Sequence, residues 1–209
     1  MARRSEHTQE QIREMVLNAA ETIVVEEGFH ALTVRKVALE IGYTVGSIYM
    51  VFANMDDVVM HVKGRALDEL AGQLRQLEPC ESAEQHILAL AEVYLQFAHQ
   101  HFNRWRMIFE AIKDAPVPEW YQQKTREMFS IVEQPFCRLL PDPADPEQAH
   151  LAAQALWSGV HGACVLSLNG SLGRVGAENA QATVAMLVTN FIAGWSQPRN
   201  PASATPPRK

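Results

Sequence analysis

The stretch LTVRKVALEIG, residues 32–42, is followed directly by YTVGSIYMVF, residues 43–52. Apolar residues recur in the first segment at helical spacing, and Gly42 stands where a left-handed helix end costs glycine little. Thr44 can then cap a second, shorter helix, predicted from about residue 44 to residue 51. The stretch therefore predicts two helices joined by a tight turn, the layout in which the second helix can enter the major groove of DNA.

A further helix is predicted before this motif. Thr8 and Gln11 form a capping box at its start, and Gly28 marks its end. Its apolar face is formed by Ile12, Val16, Ala19 and Ile23. The residues expected to pack the two motif helices against it are Ala38, Ile41, Ile48 and Phe52.

The rest of the chain shows helical periodicity and no sustained alternation typical of strands, so the predicted fold class is all-α. A proline at position 135 predicts a kink or an interruption. The predicted helices after the motif span residues 54–77, 82–101, 103–113, 118–140, 145–168 and 177–196.

The charge balance is acidic as a whole and basic at the motif. Against 18 Lys+Arg stand 24 Asp+Glu, a formal net charge of -6, which argues against a protein that binds nucleic acid through bulk charge. Residues 33–52, however, carry Arg35 and Lys36 against the single acid Glu40, and residues 41–55 contain no carboxylate. A local surface at the motif can therefore meet phosphate.

Several other protein classes are disfavoured. Three unpaired cysteines, Cys80, Cys137 and Cys164, predict reduced thiols in the cytoplasm, and residues 1–10 show no secretory signal. No catalytic, cofactor-binding or metal-binding motif occurs, so we expect neither an enzyme nor a cofactor. Residues 148–173 and 179–198 lack charged side chains, and we interpret them as helices buried in a protein assembly, with no membrane span.

The amino-terminal residues resemble the tetracycline-repressor (TetR) family of transcriptional regulators. The resemblance covers about residues 10–70 and includes Gly28-Phe29, Thr33-Val34-Arg35, Ala38, Gly42, Gly46-Ser47-Ile48-Tyr49, Phe52 and Asp56-Asp57. It implies a homodimer that binds a palindromic double-stranded DNA operator and releases it when a small-molecule effector enters the carboxyl-terminal domain. The implied organisation is a basic arm (1–9), a helix-turn-helix DNA-binding domain (10–70, motif 33–52), a long helix leading into a ligand-binding and dimerisation domain (71–196), and a disordered tail (197–209).

Carried over to this chain, the resemblance implies phosphate contacts by Thr33 and Tyr49 and a base or phosphate contact by Arg35. The full predicted DNA-binding set is Thr33, Arg35, Lys36, Thr44, Val45, Gly46, Ser47, Tyr49 and Met50. The chain departs from the family at Met55, where many relatives have lysine, and at Val51, where histidine or tyrosine is common. These departures keep open an alternative, an all-α small-molecule binding protein with a vestigial helix-turn-helix.

Two functions are predicted for the carboxyl-terminal helices. Small and apolar residues at helical spacing predict a dimer interface formed by Ala155, Gly159, Gly162, Leu166, Val184, Leu187, Val188 and Phe191. Trp157-x-x-x-His161-Gly162 resembles the Trp-His-Gly signature of one carboxyl-terminal subtype of the family, within an inward stripe that also includes His150 and Gln154. The predicted ligand contacts are Phe97, Trp105, Phe109, Trp120, Tyr121, Met128, Trp157 and His161. Ordinary core packing is the alternative for all eight.

Overall fold

The computed structural model describes residues 7–78, 80–110, 116–139, 146–176 and 179–195. These residues form α-helices and one 3-10 turn and contain no strand, which confirms the all-α class. The first six residues of the predicted arm (1–9), the predicted helix end near residue 113 and the predicted tail at residues 197–209 lie outside the described ranges. The helices are α1 (Gln9–Glu27), α2 (Val34–Glu40), α3 (Val45–Ile48), α4 (Met55–Arg75), α5 (Ala83–Gln100), α6 (Phe102–Phe109), α7 (Glu119–Leu139), α8 (Pro146–Leu168), α9 (Ser171–Arg174) and α10 (Ala180–Trp195).

Side-chain caps set the helix starts of the amino-terminal region. The predicted capping box of Thr8 and Gln11 is present, and Gly28 ends α1 with a φ of 84°. The next three α-helices also begin with a side-chain oxygen that accepts a backbone N–H three residues on: Thr33, Thr44 and Asn54. Each such cap stabilises its helix by about 0.5–2 kcal/mol, so the local sequence fixes where these helices begin.

Three elements differ from the predicted pattern. The helix α3 is shorter than predicted, since the Val51 N–H bonds to the Ile48 carbonyl at 3.0 Å and the last turn tightens. The helix α7 continues through Pro135 without interruption. The short helix α9 was not predicted, because Gly170 and Gly176 flank it with positive φ and leave only four helical residues between the turns.

The chain forms two compact units, each made of two segments. The first contains Met1–Gln76 and Gln96–Ile131, and the second contains Leu77–Leu95 and Val132–Lys209. This division differs from the predicted boundary after residue 70, because α5 and α7 each contribute residues to both units.

The core of the first unit holds the motif helices in place. Its buried side chains come from α1, both motif helices, α4 and α6, and include Ile12, Val16, Ala19, Ile23, Val37, Ala38, Ile48, Phe52, Val58 and Met107. The four predicted residues of α1 are all buried, and of the four predicted anchors only Ile41 is half-buried, so both sets are confirmed. Complete burial of an Ile or Phe side chain contributes about 1.5–3 kcal/mol, which is why the short α3 keeps a fixed position.

In the second unit, α8 packs against α10. The close approach depends on Gly159, where an added Cβ would lie 2.8 Å from Leu187 Cδ2. Among the described helices, α8 alone is long and apolar enough to span a membrane by length and composition, a property that core helices of soluble proteins share.

Candidate functional site

The predicted DNA-binding residues lie in α2, in α3 and in the turns around them. The exposed members of the set are Thr33, Arg35, Thr44, Gly46, Tyr49 and Met50, and the half-buried members are Lys36, Val45 and Ser47. Met50 is 70% exposed although Ile48, two residues earlier, is completely buried. The motif therefore presents side chains outward from a firmly packed base, and we call these nine predicted residues the reading surface.

The hydroxyl groups of Thr33, Thr44 and Ser47 are already hydrogen-bonded within the chain. Thr44 Oγ1 accepts the Ser47 N–H at 3.2 Å, and the two hydroxyls bond to each other at 2.9 Å. Thr33 Oγ1 accepts the Lys36 N–H at 3.3 Å. These bonds order the amino-terminal turns of α2 and α3, and they leave apolar groups such as the Met50 side chain prominent on the surface.

The positive charge of the reading surface is smaller than the local count suggests. The Lys36 ammonium forms an ion pair with Glu27 at the end of α1, a residue outside the 33–52 window in which the charges were counted. Two carboxylates follow the motif, and the second of them, Asp57, accepts the Ala53 N–H at 3.0 Å and thereby caps the start of α4. Of the two cations predicted to contact DNA, Arg35 is therefore the exposed one.

Residues that the sequence did not single out form hydrogen bonds to the turns before and after α3. Tyr43, in the turn between α2 and α3, is hydrogen-bonded to His7 at 2.7 Å. Arg13 of α1 donates to the Val51 carbonyl at 2.9 Å and to His61 of α4 at 2.6 Å. These partners lie 36 to 48 residues apart in sequence, so no local pattern could have revealed them.

The two departures from the family pattern are packing positions in this chain. Met55 and Val51 are half-buried and pack against the core of the first unit. Neither side chain offers a donor for phosphate, so this part of the motif supplies hydrophobic support in place of an ionic contact.

Six of the predicted ligand residues lie in the first unit. Trp120, Tyr121 and Met128 come together with Met60 and Leu67, and burial raises the pKa of Tyr121 to about 12. In a separate contact, the rings of Trp105 and Phe109 meet edge to face at 5.5 Å. Phe97 is completely buried and packs beside His101. Phe109 is exposed, and core packing accounts for the contacts of the other five side chains.

The other two predicted ligand residues lie in the second unit. The hydroxyl of Tyr94 and Nδ1 of His161 share a hydrogen bond of 2.7 Å, and the His161 ring lies 5.3 Å from that of Trp157. Burial lowers the pKa of His161, which favours the neutral ring. The sequence did not identify Tyr94 as a partner of His161.

The predicted inward stripe of α8 divides into two parts. His150 is exposed and bonds to the Glu133 carboxylate of α7 and, at 2.7 Å, to Gln154. Trp157 and His161 are the half-buried part of the stripe. The expectation that His150 and Gln154 face inward is therefore wrong, because both side chains are exposed in the second unit.

The residues predicted to form the dimer interface differ in their exposure. Val184 and Val188 are only 1% exposed, so they belong to the core of the second unit and cannot face a partner. Leu187 packs against Gly159 of the same chain, and Phe191 and Gly162 are half-buried. Ala155 and Leu166 are exposed, and so is Met186 on α10, which the sequence did not select.

Comparison with known proteins matches both halves of the chain. A family model described as the tetracyclin repressor-like C-terminal domain covers residues 87–191, half of the chain, and the tetR family model of bacterial regulatory proteins covers residues 16–62. An uncharacterized HTH-type transcriptional regulator from Mycobacterium tuberculosis is 27% identical over 158 residues, 76% of this chain and 71% of that protein.

Solved structures share the fold. A protein with unknown function from Rhodococcus sp. RHA1 has a TM-score of 0.75 at 19% identity, with 93% of this chain and 100% of that chain covered. A tetR-family transcriptional regulator from Streptomyces coelicolor has a TM-score of 0.66 at 16% identity, with 90% and 82% covered. Together with the packed helix-turn-helix and the two family models, these matches show that the chain belongs to the TetR family of DNA-binding transcriptional regulators.

Proposed function

We propose that this regulator is a cytoplasmic homodimeric repressor that binds a palindromic operator and is released from it by a small apolar or aromatic effector. The observation that carries the proposal is the outward face of the motif. Tyr49 and Met50 are exposed directly after the buried anchor Ile48, and Arg35 of the preceding helix α2 is exposed as well. A reading helix held in this way can enter the major groove without reorganising its own domain.

Exposed apolar side chains on the last long helices support the dimer. Leu151 and Leu166 of α8 and Met186 of α10 are exposed in the single chain, on helices that carry no charged residue after Glu147. Such a surface favours burial against a second copy, and a two-fold dimer would present two reading helices to a palindrome. For both helices to enter successive major grooves, they must lie about 34–36 Å apart.

The aromatic clusters support an apolar or aromatic effector. The second unit places a polar pair, Tyr94 and His161, beside the Trp157 ring. Ligand sites typically combine apolar walls with a few polar groups of this kind. An effector that binds better when the reading helices are wrongly spaced would release the operator by shifting the conformational equilibrium.

DNA binding tests the first half of the proposal. A duplex is selected from a random-sequence library with the wild-type protein, and affinity is then measured by fluorescence anisotropy at several salt concentrations. We expect a palindromic duplex and a shallow salt dependence, because each phosphate contact adds about 0.9 to the logarithmic slope and this motif offers few cations. A folded dimer that selects no duplex even at low salt would favour the alternative, a binding protein with a vestigial motif.

Effector release tests the second half. A library of apolar and aromatic compounds is screened by thermal unfolding, and each stabilising compound is added to the protein bound to the selected duplex. A repressor of this kind should bind at least one compound, and the fraction of protein bound to DNA should fall as the fraction bound to that compound rises. Compounds that stabilise the protein and leave DNA affinity unchanged would contradict the proposed mode of release.

A further inference from the structure

A continuous set of side-chain contacts runs from the first turn of α7 to the end of the reading helix α3. It consists of Trp120, His61 and Arg13, and all of it lies within the first compact unit. We call these three residues the Arg13–His61–Trp120 contact chain. None of the three belongs to the reading surface.

The first link fixes the backbone that follows α3. Arg13 Nη1 donates to the Val51 carbonyl at 2.9 Å, and the guanidinium lies 4.3 Å from the centre of the Phe52 ring. A guanidinium that both donates to a backbone carbonyl and covers an aromatic face restrains that segment in position and in orientation. Because Val51 comes three residues after Ile48, the restraint acts directly on the carboxyl end of the reading helix.

The second link fixes the guanidinium. Arg13 Nη2 donates to His61 Nε2 at 2.6 Å. Arginine has no acceptor, so this bond requires that Nε2 of His61 carry no proton. Only neutral His61 can therefore hold Arg13 in this position.

The third link joins His61 to α7. The rings of His61 and Trp120 are stacked, with centroids 4.7 Å apart and planes inclined by 11°. The Trp120 ring also lies over Gly64, where an added Cβ would come within 2.9 Å of Trp120 Cζ3. Gly64 thus provides the space that lets Trp120 lie flat on α4 against His61.

The charges around His61 favour its neutral form. Arg13 from α1, Arg65 from α4 and Lys124 from α7 oppose a proton on the ring, and Asp57, 3.4 Å away, favours one. Burial is the largest cause of the lowered pKa of His61, followed by the charge of Arg13. The ring is therefore neutral at neutral pH and gains a proton only in acid.

We propose that Arg13, His61 and Trp120 are positioning residues that couple the first turn of α7 to the orientation of the reading helix. Movement of Trp120 away from His61 releases Arg13 from its acceptor, loosens the Val51 segment and lowers affinity for DNA. Because α7 is one helix whose second half belongs to the second unit, a change in that unit has a covalent route to this contact chain. The inference rests on the proposed binding of DNA through α3.

Glycine substitutions in α4 test the coupling. In Gly64→Ala the new Cβ displaces the Trp120 ring, whereas Gly72→Ala in the same helix meets nothing within 4 Å. Both changes raise helix propensity equally, so any difference in DNA affinity between the two variants is caused by the contact with Trp120. For the duplex selected by the wild-type protein, we expect Gly64→Ala to lower affinity about fivefold or more and Gly72→Ala to leave it unchanged.

A double-mutant cycle separates this coupling from general loss of stability. If Gly64→Ala acts through the indole ring, it should have no further effect on DNA affinity in a Trp120→Ala background. Thermal unfolding of each variant gives the folded fraction, and DNA affinity is compared at full folding. Equal DNA affinities for Gly64→Ala and Gly72→Ala would overturn the proposal.

A pH profile provides a second readout that does not depend on Gly64. Protonation of His61 removes the acceptor for Arg13. Because the pKa of His61 lies below its usual value of about 6.5, wild-type affinity should fall only as the pH drops below about 6.5, whereas added positive charge elsewhere would strengthen DNA binding. His61→Gln keeps an acceptor that does not titrate, and its profile should lack this fall. Parallel profiles would overturn the proposal, and a wild-type protein that binds no duplex would overturn it together with the proposed function.

Discussion

The helices α3 and α8, which carry the two proposed intermolecular surfaces, divide their side chains in different ways. In α3 one side chain, Ile48, is completely buried, whereas Gly46, two residues before it, and Met50, two residues after it, are exposed. In α8 apolar side chains lie on both sides, since Leu156 is buried and Leu151 is exposed. An outward face made of small and polar residues can be recognised in the sequence, whereas a helix with apolar side chains on both sides does not reveal which side faces the core.

The largest expected effect comes from removing the base of the reading surface. Ile48→Ala should lower the free energy of unfolding by about 2–5 kcal/mol, because it leaves a cavity under α3. Urea denaturation measures the change, and Leu39→Ala, at a side chain 82% exposed on α2, is the matched control with an expected change within about 0.5 kcal/mol. Equal effects of the two substitutions would show that α3 is not anchored as described.

A charge on the outer face of α10 tests the proposed partner surface. Met186 is 67% exposed in the single chain, and Met186→Glu would bury an unpaired carboxylate twice in a two-fold dimer. We expect the dimer dissociation constant to rise roughly a hundredfold, about 3 kcal/mol. Sedimentation velocity measures it, with Val175→Glu, at a side chain 78% exposed in the same unit, as the control. An unchanged dimer would place the interface elsewhere.

Two glycines of α8 separate packing within the chain from packing between chains. Gly159→Ala drives a Cβ against Leu187 of α10 and should destabilise the second unit by about 1–3 kcal/mol. Gly162→Ala meets nothing within 4 Å in the chain and should preserve or raise stability, as measured by thermal unfolding. If Gly162→Ala is the more destabilising of the two, the close approach of α8 and α10 is assigned to the wrong residue.

The smallest expected effect is at the apolar part of the reading surface. Met50→Ala removes a flexible side chain that can contact bases only through van der Waals and hydrophobic interactions, so we expect DNA affinity to fall about fourfold. Fluorescence anisotropy at one fixed salt concentration detects this, with Val25→Ala, at an exposed position of α1, as the control. An undiminished affinity would mean that Met50 does not reach the bases.

Features encoded by neighbouring residues were predictable from the sequence. The capping box at Thr8 and the caps at Thr33, Thr44 and Asn54 each join residues three positions apart, and all of them are present. Periodic apolar residues likewise identified the buried face of α1. These signals depend on local geometry, which short stretches of sequence determine.

Features that depend on distant residues were not predictable. The ion pair of Lys36 with Glu27 and the hydrogen bond of Arg13 with His61 require the packing of separate helices. The burial of Val184 and Val188 depends on which side of α10 meets α8, and an uncharged helix with apolar side chains on more than one side leaves both choices open. The sequence also could not distinguish the predicted effector contacts from core residues, because aromatic side chains both bind ligands and pack in the core.

The central claim is that the outward face of α2 and α3 binds DNA. Its most direct test is the affinity of an Arg35→Ala, Tyr49→Phe variant for the duplex selected by the wild-type protein. Both side chains are exposed, so the variant should unfold at the same temperature as the wild type. The account predicts a loss of affinity of about tenfold or more, because a specific arginine contact contributes about 1–3 kcal/mol. An unchanged affinity would show that DNA is bound by a different surface.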